Sequence, residues 1–381
     1  MISIDIICFC HLRWNFVFQR PQHLLSRFAR NRRVIFIEEP VFDATNNHME
    51  IATHDTNNVW IAVPHLKSGM DEADIMAAQK MLLDRLLVSM QIKKYLLWYY
   101  SPLALGWSEH LDAELVIYDC MDELSAFKFA PPQLVQQEQK LLQKADLVFT
   151  GGLSLYEAKK HLHNNIYPFP SSIDKTHFNI ARSELQEPAD QASIPHPRIG
   201  YYGVLDERLD TIMLKELAVL RPDWHFVLVG PVVKIDPADL PRENNIHYLG
   251  SKQYKELPYY LAGWDIAMMP FALNESTRFI SPTKTPEYLA GGKQVISTPI
   301  KDVITPYEEN GLVYIAATPA IFIAAAEAIL TKTGYDEWLV KVDAFLSGIS
   351  WEKTWHQMEE LISSAIESKQ GLKLKKAHNY V

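Results

Sequence analysis

The chain has 381 residues, of which 48 % are hydrophobic and 22 % charged, with a formal net charge of -9 and three cysteines. That length suits two domains, each able to bury its own core, and the composition leaves little room for extended disorder. The acidic balance argues against a nucleic-acid partner, which would need Lys and Arg against phosphates, and the few cysteines argue for a reducing, cytoplasmic setting rather than a disulfide scaffold.

The opening Met1-Ile2-Ser3-Ile4-Asp5 sets no basic group ahead of an apolar core, and no stretch approaches the roughly 20 apolar residues of a membrane span, so neither secretion nor insertion is expected. Residues 4–10 are a short apolar, β-branched run that reads as a buried strand. A loop with Arg13 and Trp14 follows, then helical spacing over 21–30 and a second buried strand over 33–38. Strand, helix, strand at this spacing is a βαβ unit with parallel strands. The alternation continues with strands at 59–63, 95–99, 115–118 and 146–150, and helices near 71–91 and 133–144. From 180 to 197 the chain turns polar and proline-containing, as an exposed connection between domains would be. Beyond it the pattern restarts: strands at 198–203, 225–230, 246–249, 265–269 and 294–297, with a helix from about 210. Residues 351–368 have helical spacing and lead to a basic tail at 373–376. The expectation is α/β, with a doubly wound parallel sheet in 1–180, another in 198–350, and ligands at the carboxyl ends of the strands.

Four loops there carry the candidate chemistry. Ser281 and Pro282 suit the start of a helix, whose free amides, with Thr283 and Lys284, make a cradle for a diphosphate. Glu287 lies three residues on, on nearly the same helical face, where it could accept hydrogen bonds from a ribose. From these residues alone, an ordinary capped surface helix with exposed Lys and Glu is the favoured reading. After Gly203, Arg208 is a phosphate ligand or the partner of Asp206 or Asp210. Asp122, closing the strand at 115–118, is a general base or a helix cap, with Asp119 and Glu123 as rivals. The loop after the first strand gathers His11, Arg13, Trp14, Arg20 and Gln22.

Ser281-Pro-x-Lys284-x-x-Glu287-Tyr-Leu-Ala-x-Gly292, with the strand that follows it, resembles the donor segment of GT-B glycosyltransferases related to family 4. The His11-Leu-Arg-Trp14 and Phe18-Gln-Arg-Pro-Gln22 stretches are similar to the opening of bacterial cell-envelope transferases of the teichuronic acid type. The resemblance implies two Rossmann-like domains facing a cleft, with the helix at 351–381 crossing back to the first. It implies a nucleotide sugar, with UDP as the expected nucleotide, held by Gly203, Arg208, Ser281, Thr283, Lys284 and Glu287. The acceptor, a surface glycan or lipid-linked sugar, would meet His11, Arg13, Trp14, Arg20 and Gln22, with Arg13 or Arg20 on anionic groups and Trp14 stacked on a sugar.

Many retaining members carry a glutamate eight positions before the one matched by Glu287, where this chain has Phe279. That moves the expectation to inversion with Asp122 as base. Rival readings are a GT-B sugar-nucleotide epimerase and an inactive glycan-binding module. Neither cofactor nor metal is expected: Cys8-x-Cys10-His11 and Cys120 have zinc-ligand chemistry, but Cys-x-Cys on a strand puts both thiols on one face. The run Arg27, Arg30, Arg32 and Arg33 reads as a solvated helix end or as peripheral contact with anionic lipid at the inner face of the plasma membrane.

Overall fold

The computed structural model describes residues 4–53 and 58–378, with side chains as far as residue 371. Residues 1–3 and the basic side chains at 373–376 lie outside the described residues. The first sheet is laid down by β1 (Asp5–Phe9), α1 (Arg20–Phe28), β2 (Val34–Ile37), β3 (His48–Thr53), β4 (Val59–His65), α2 (Glu72–Ser89), β5 (Tyr95–Tyr99), α3 (Leu105–Ser108), β6 (Leu115–Cys120), α4 (Gln133–Lys144), β7 (Leu147–Thr150), α5 (Leu153–Lys159) and β8 (Ile166–Pro168). Its order is β3-β4-β2-β1-β5-β6-β7-β8, parallel except for β3, which runs antiparallel to β4. β3 has no sequence signature because it is an edge strand exposed along nearly its whole length, so no apolar alternation marks it.

Next come α6 (Lys175–Asn179), α7 (Ala189–Ala192), β9 (Arg198–Tyr202), α8 (Thr211–Leu220), β10 (His225–Val229), β11 (Ile246–Tyr248), α9 (Leu257–Ala262), β12 (Ile266–Met269), α10 (Lys284–Ala290), β13 (Val295–Ser297), α11 (Lys301–Val303), β14 (Tyr314–Ile315), α12 (Pro319–Leu330), α13 (Tyr335–Leu346) and α14 (Trp351–His378). The second sheet, β11-β10-β9-β12-β13-β14, is parallel throughout. In each sheet the first-formed strand, β1 or β9, sits between strands reached by crossovers in opposite directions. The loops leaving its carboxyl end therefore part and leave a crevice.

Alternation along β1 divides the first core in two. Ile6 and Cys8 face one side, Ile7 and Phe9 the other, where α2 and α4 cover them. The Ile6 side is closed by the end of the chain: Trp351, Trp355, Met358 and Ile362 of α14 belong to that core. Glu352 takes ion pairs from Arg27 at 3.1 Å and Arg30 at 2.6 Å, Arg32 pairs with Glu359, and Lys369 reaches Asp146 at 2.7 Å. Arg33 binds Asp5 at 2.6 Å. The basic run read as solvated or lipid-facing is thus matched by acids of its own chain.

The polar stretch 180–197 is exposed over most of its length, but Ala181, Gln191 and Ile194 within it are buried. Gln191 is fully buried, donating to the Tyr260 carbonyl at 3.0 Å and accepting from the Trp264 indole at 2.9 Å. Ile173, Phe178 and Ala181 already pack in the second core. We propose 1–180 with 351–381, and 198–350, as working domain limits. No helix among the described residues is long and apolar enough to cross a membrane. Because Trp351 is 1 % exposed at the seam between α14 and the first core, Trp351→Ala should destabilise the protein by about 3–5 kcal/mol, read as a lower urea midpoint.

Candidate active site

The loops after β1, β6 and β7 face those after β9 and β12 across the crevice. Between them lies a cavity of about 440 Å³ that includes His11, Asp122, Asp206, Arg208 and Lys234 in its wall. A smaller one of about 90 Å³ opens beside it, bounded by Tyr201, Ser281, Thr283 and Lys284. Asp122 and Arg208 line both, so a carboxylate of the first sheet and a guanidinium of the second stand at the junction.

On the second-sheet side, β9 ends at Gly203 with φ +143°. A Cβ there would lie 2.3 Å from Lys284 Cε and 2.7 Å from Nζ, so the glycine is what lets Lys284 lie against the loop. Lys284 Nζ stands 5.5 Å from the centre of the Tyr201 ring. Burial, then Arg208, lowers the Lys284 pKa, while burial raises that of Glu287 against the pull of Tyr202 and Lys284. Glu287 itself is 6 % exposed and accepts from the Tyr202 hydroxyl at 2.7 Å. Arg208 donates from Nε and Nη2 to Asp206 at 2.7–3.1 Å and lies over the Phe127 ring of the opposite domain at 5.3 Å. The Asp206 pairing and the cleft position, alternatives in the sequence, are both present.

The helix of the donor segment begins later than its sequence suggests. α10 starts at Lys284, Thr283 stands at the cap position without a side-chain cap bond, and Ser281 precedes the helix. Ser281 offers its carbonyl to the Ser171 hydroxyl at 2.8 Å and packs on Gly152, where a Cβ would come within 2.8 Å of it. The Ser-Pro pair thus serves a contact between the two halves, which local propensity does not encode. Phe279, in the place of the missing glutamate, packs against the core of the first sheet.

On the first-sheet side the two aspartate candidates part company. Asp119 is fully buried and clasped by Arg20, whose Nε and Nη2 reach it at 2.8–3.1 Å while Nη1 donates to the Phe169 carbonyl at 2.7 Å. Asp119 as base and Arg20 as an acceptor ligand are therefore both corrected: each occupies the other. Asp122 accepts no side-chain hydrogen bond among the described residues and faces both cavities. Burial raises its pKa to about 6, with Arg208 and Arg20 only partly opposing. A carboxylate poised there can take a proton near neutral pH.

The first loop is mostly scaffold. Trp14 is 6 % exposed in the core, edge-on to Phe36 at 5.0 Å, so it cannot stack on a sugar. Gln22, 1 % exposed, holds the Trp14 carbonyl at 2.8 Å and caps Gln19 through its amide at 2.9 Å. Arg13 is bound to Glu38 at 2.9 Å and to the Glu39 carbonyl at 2.7 Å, so its guanidinium is already engaged within the chain. These three are corrections; alternating polar and aromatic residues in a loop look alike whether they bind or brace. His11 remains on the cavity wall with a buried, unpartnered Nδ1, its pKa lowered to about 4 by burial and by Lys234, which leaves it neutral.

Lys234 and Tyr201 enter the site without having been read from the sequence, and Asp206 was read there only as a pairing partner of Arg208. Asp206 had a local signal, two residues before Arg208, but Lys234 comes from a loop after a different strand. Cys8, Cys10 and Cys120 are buried thiols whose pKa values burial raises, and Cys120 packs on the opposite face of the sheet from the other two. Among the described residues, no cluster of three or more His, Cys, Asp or Glu could hold a metal.

Residues 196–332 match the family described as Glycosyl transferases group 1. Over 254 residues the chain is 29 % identical to TuaH of Bacillus subtilis (strain 168), designated a teichuronic acid biosynthesis glycosyltransferase, covering 62 % of this chain and 64 % of that protein. The match thus spans just under two thirds of that relative. Sucrose-phosphate synthase of Thermosynechococcus elongatus superposes with a TM-score of 0.72 at 13 % identity, over 96 % of this chain and all of the other. HepE of Anabaena, in complex with UDP and glucose, superposes at 0.66 and 14 % identity, over 95 % of this chain and all of the other. The chain accordingly has the GT-B fold, two facing, mostly parallel sheets with a helix returning to the first, and its residues 196–332 are similar to the group 1 glycosyl transferases.

Proposed function

We propose that the chain is a glycosyltransferase that moves a sugar from a UDP-sugar to a cell-envelope glycan or lipid-linked acceptor, with inversion and without a metal ion. The carrying observation is the junction of the two cavities, where Asp122 of the first domain faces Arg208 and Lys284 of the second. UDP in the HepE complex supports the choice of nucleotide, and the designation of TuaH supports an envelope acceptor; the reaction is placed, in this proposal, at the cytoplasmic face of the membrane.

In this reading Asp122 takes the proton of the acceptor hydroxyl as that oxygen attacks the anomeric carbon, on the face opposite the diphosphate. The bond from that carbon to the diphosphate oxygen breaks in the same displacement, which inverts the configuration. The negative charge collecting on UDP is met by Arg208, Lys284 and the amides near Ser281 and Thr283, preorganised in a partly water-excluded site. Arg208 keeps its charge: burial is the largest single effect and disfavours it, but the hydrogen bonds and charge of Asp206, together with the charge of Asp122, raise its pKa overall. Lys284, whose pKa is lowered by burial and by Arg208, would be held protonated by the incoming anion. Glu287 would meet the ribose with the carboxylate oxygen not bound to Tyr202.

Replacement of Asp122 by Asn should reduce kcat about a hundredfold or more and leave the UDP-induced rise in melting temperature intact. In the unmodified protein kcat/KM should fall as pH drops through about 6, since protonation removes the base, and this limb should be missing from the residual activity of the variant. Lys284→Ala should abolish the UDP-induced rise; a retained rise would remove the donor assignment. Stability should separate the two aspartates: Asp119→Asn strands the buried Arg20 charge and costs about 3–5 kcal/mol, whereas Asp122→Asn, removing an unpaired carboxylate, should not lower the melting temperature.

A further inference from the structure

A cavity of about 430 Å³ runs from the catalytic cleft into the first domain, between α2, α3 and α4. It is continuous with the 440 Å³ cavity, the two sharing Glu39, Ser101, Leu103 and Pro131. None of the residues assigned to donor or catalysis lines it. We infer that it is a second acceptor subsite, for a neutral sugar unit linked to the one that receives the transferred sugar. This rests on the glycosyltransferase reading and specifies its acceptor as a chain of at least two sugars.

Two buried polar side chains carry the argument. Gln79 on α2 is 6 % exposed, and Ser101, just beyond β5, is 4 % exposed; neither side chain has a hydrogen-bond partner among the described residues, and both line the cavity. The side chains are mostly buried but their polar atoms are not wholly enclosed, so the amide and the hydroxyl are open to a ligand or water that supplies their bonds. Hydroxyl groups of a sugar would do so, whereas a hydrocarbon chain would desolvate both groups and leave them unmatched. Charge removes a second class of occupant. No Lys or Arg lines this cavity, while Glu39, Glu72 and the Arg13-paired Glu38 do, so the wall offers phosphate and uronate groups no cation and sets acids against them. The cations stand in the neighbouring cavity, where Lys128, Lys234 and Arg208 surround the reacting end. Phe42 at the rim, 46 % exposed, offers an apolar face for a pyranose ring.

The test uses the full-length protein saturated with UDP and an array of neutral hexose and N-acetylhexosamine glycans of one to four units. Beside it stand uronic-acid oligosaccharides and, in solution, methyl and octyl glucosides. Binding should strengthen between one and two or three neutral units, and Gln79→Leu should remove about tenfold of that gain. Binding of UDP should be unchanged in this variant, and its melting temperature should not fall, since an apolar group replaces an unpaired polar one. Phe42→Ala, at an exposed rim position, should also weaken the longer glycans selectively. Absence of a length effect, preference for uronic acids, a gain from octyl over methyl glucoside instead of from added sugars, or no effect of Gln79→Leu would each overturn the inference. Failure of the unmodified protein to bind UDP would instead sink the donor assignment.

Discussion

Arg20 and Asp119 form a buried ion pair, at 2.8 Å, beneath the floor of the cleft, and the arrangement above depends on it. Arg20 opens α1 and Asp119 sits near the end of β6, so the pair locks the first helix to a central strand. Buried charges hold only when paired and hydrogen-bonded; here the third guanidinium nitrogen also has the Phe169 carbonyl. With Asp119 held in place by Arg20, the chain three residues on presents Asp122 to the cavity with no comparable partner. One strand end thus yields two carboxylates in different settings, one clasped by a guanidinium, the other desolvated and able to exchange a proton.

The opposite wall follows a similar logic with the charges reversed. Arg208 is matched by Asp206 and stays cationic, while Lys284, packed against Gly203, has no ion pair among the described residues and has its charged form disfavoured by burial. A site with one satisfied and one unsatisfied cation is suited to a ligand that brings negative charge, because binding converts an electrostatic cost into an attraction. Phe127 of the first domain lies over both Arg208 and Lys234, at 5.3 and 5.2 Å, so the cations of one half also help hold the other half in contact.

Cohesion between the halves is distributed over small contacts of this kind. The amide of Ser154, at the start of α5, donates to Asp302 of α11 at 2.9 Å, and Gly152 leaves room for that carboxylate, since a Cβ would lie 2.2 Å from it. Phe18 stacks on Tyr254 at 4.6 Å, and His23 stacks on Trp351, the first residue of α14, also at 4.6 Å. The returning helix is therefore joined to the loop after β1 through a chain of rings that ends beside the linker.

Much of this was legible in the residues alone. Apolar runs of four to six residues separated by helical spacing specify parallel strands wherever they occur, and β5 and α4 fall where their patterns put them. The donor segment was legible because Lys284 and Glu287 are three apart on one helix, a local relation. What the sequence could not determine was which polar side chains are already spoken for. Asp119 and Asp122 look alike in a row, and only a guanidinium 99 residues away distinguishes them. Trp14, Gln22 and Arg13 have the composition of a binding loop, yet their partners in the folded chain turn them into bracing. The sequence by itself determined the fold class and the strand ends where chemistry collects, because both follow from short-range periodicity. Tertiary structure decided which charges remain free, because pairing and desolvation depend on groups brought together from distant parts of the chain.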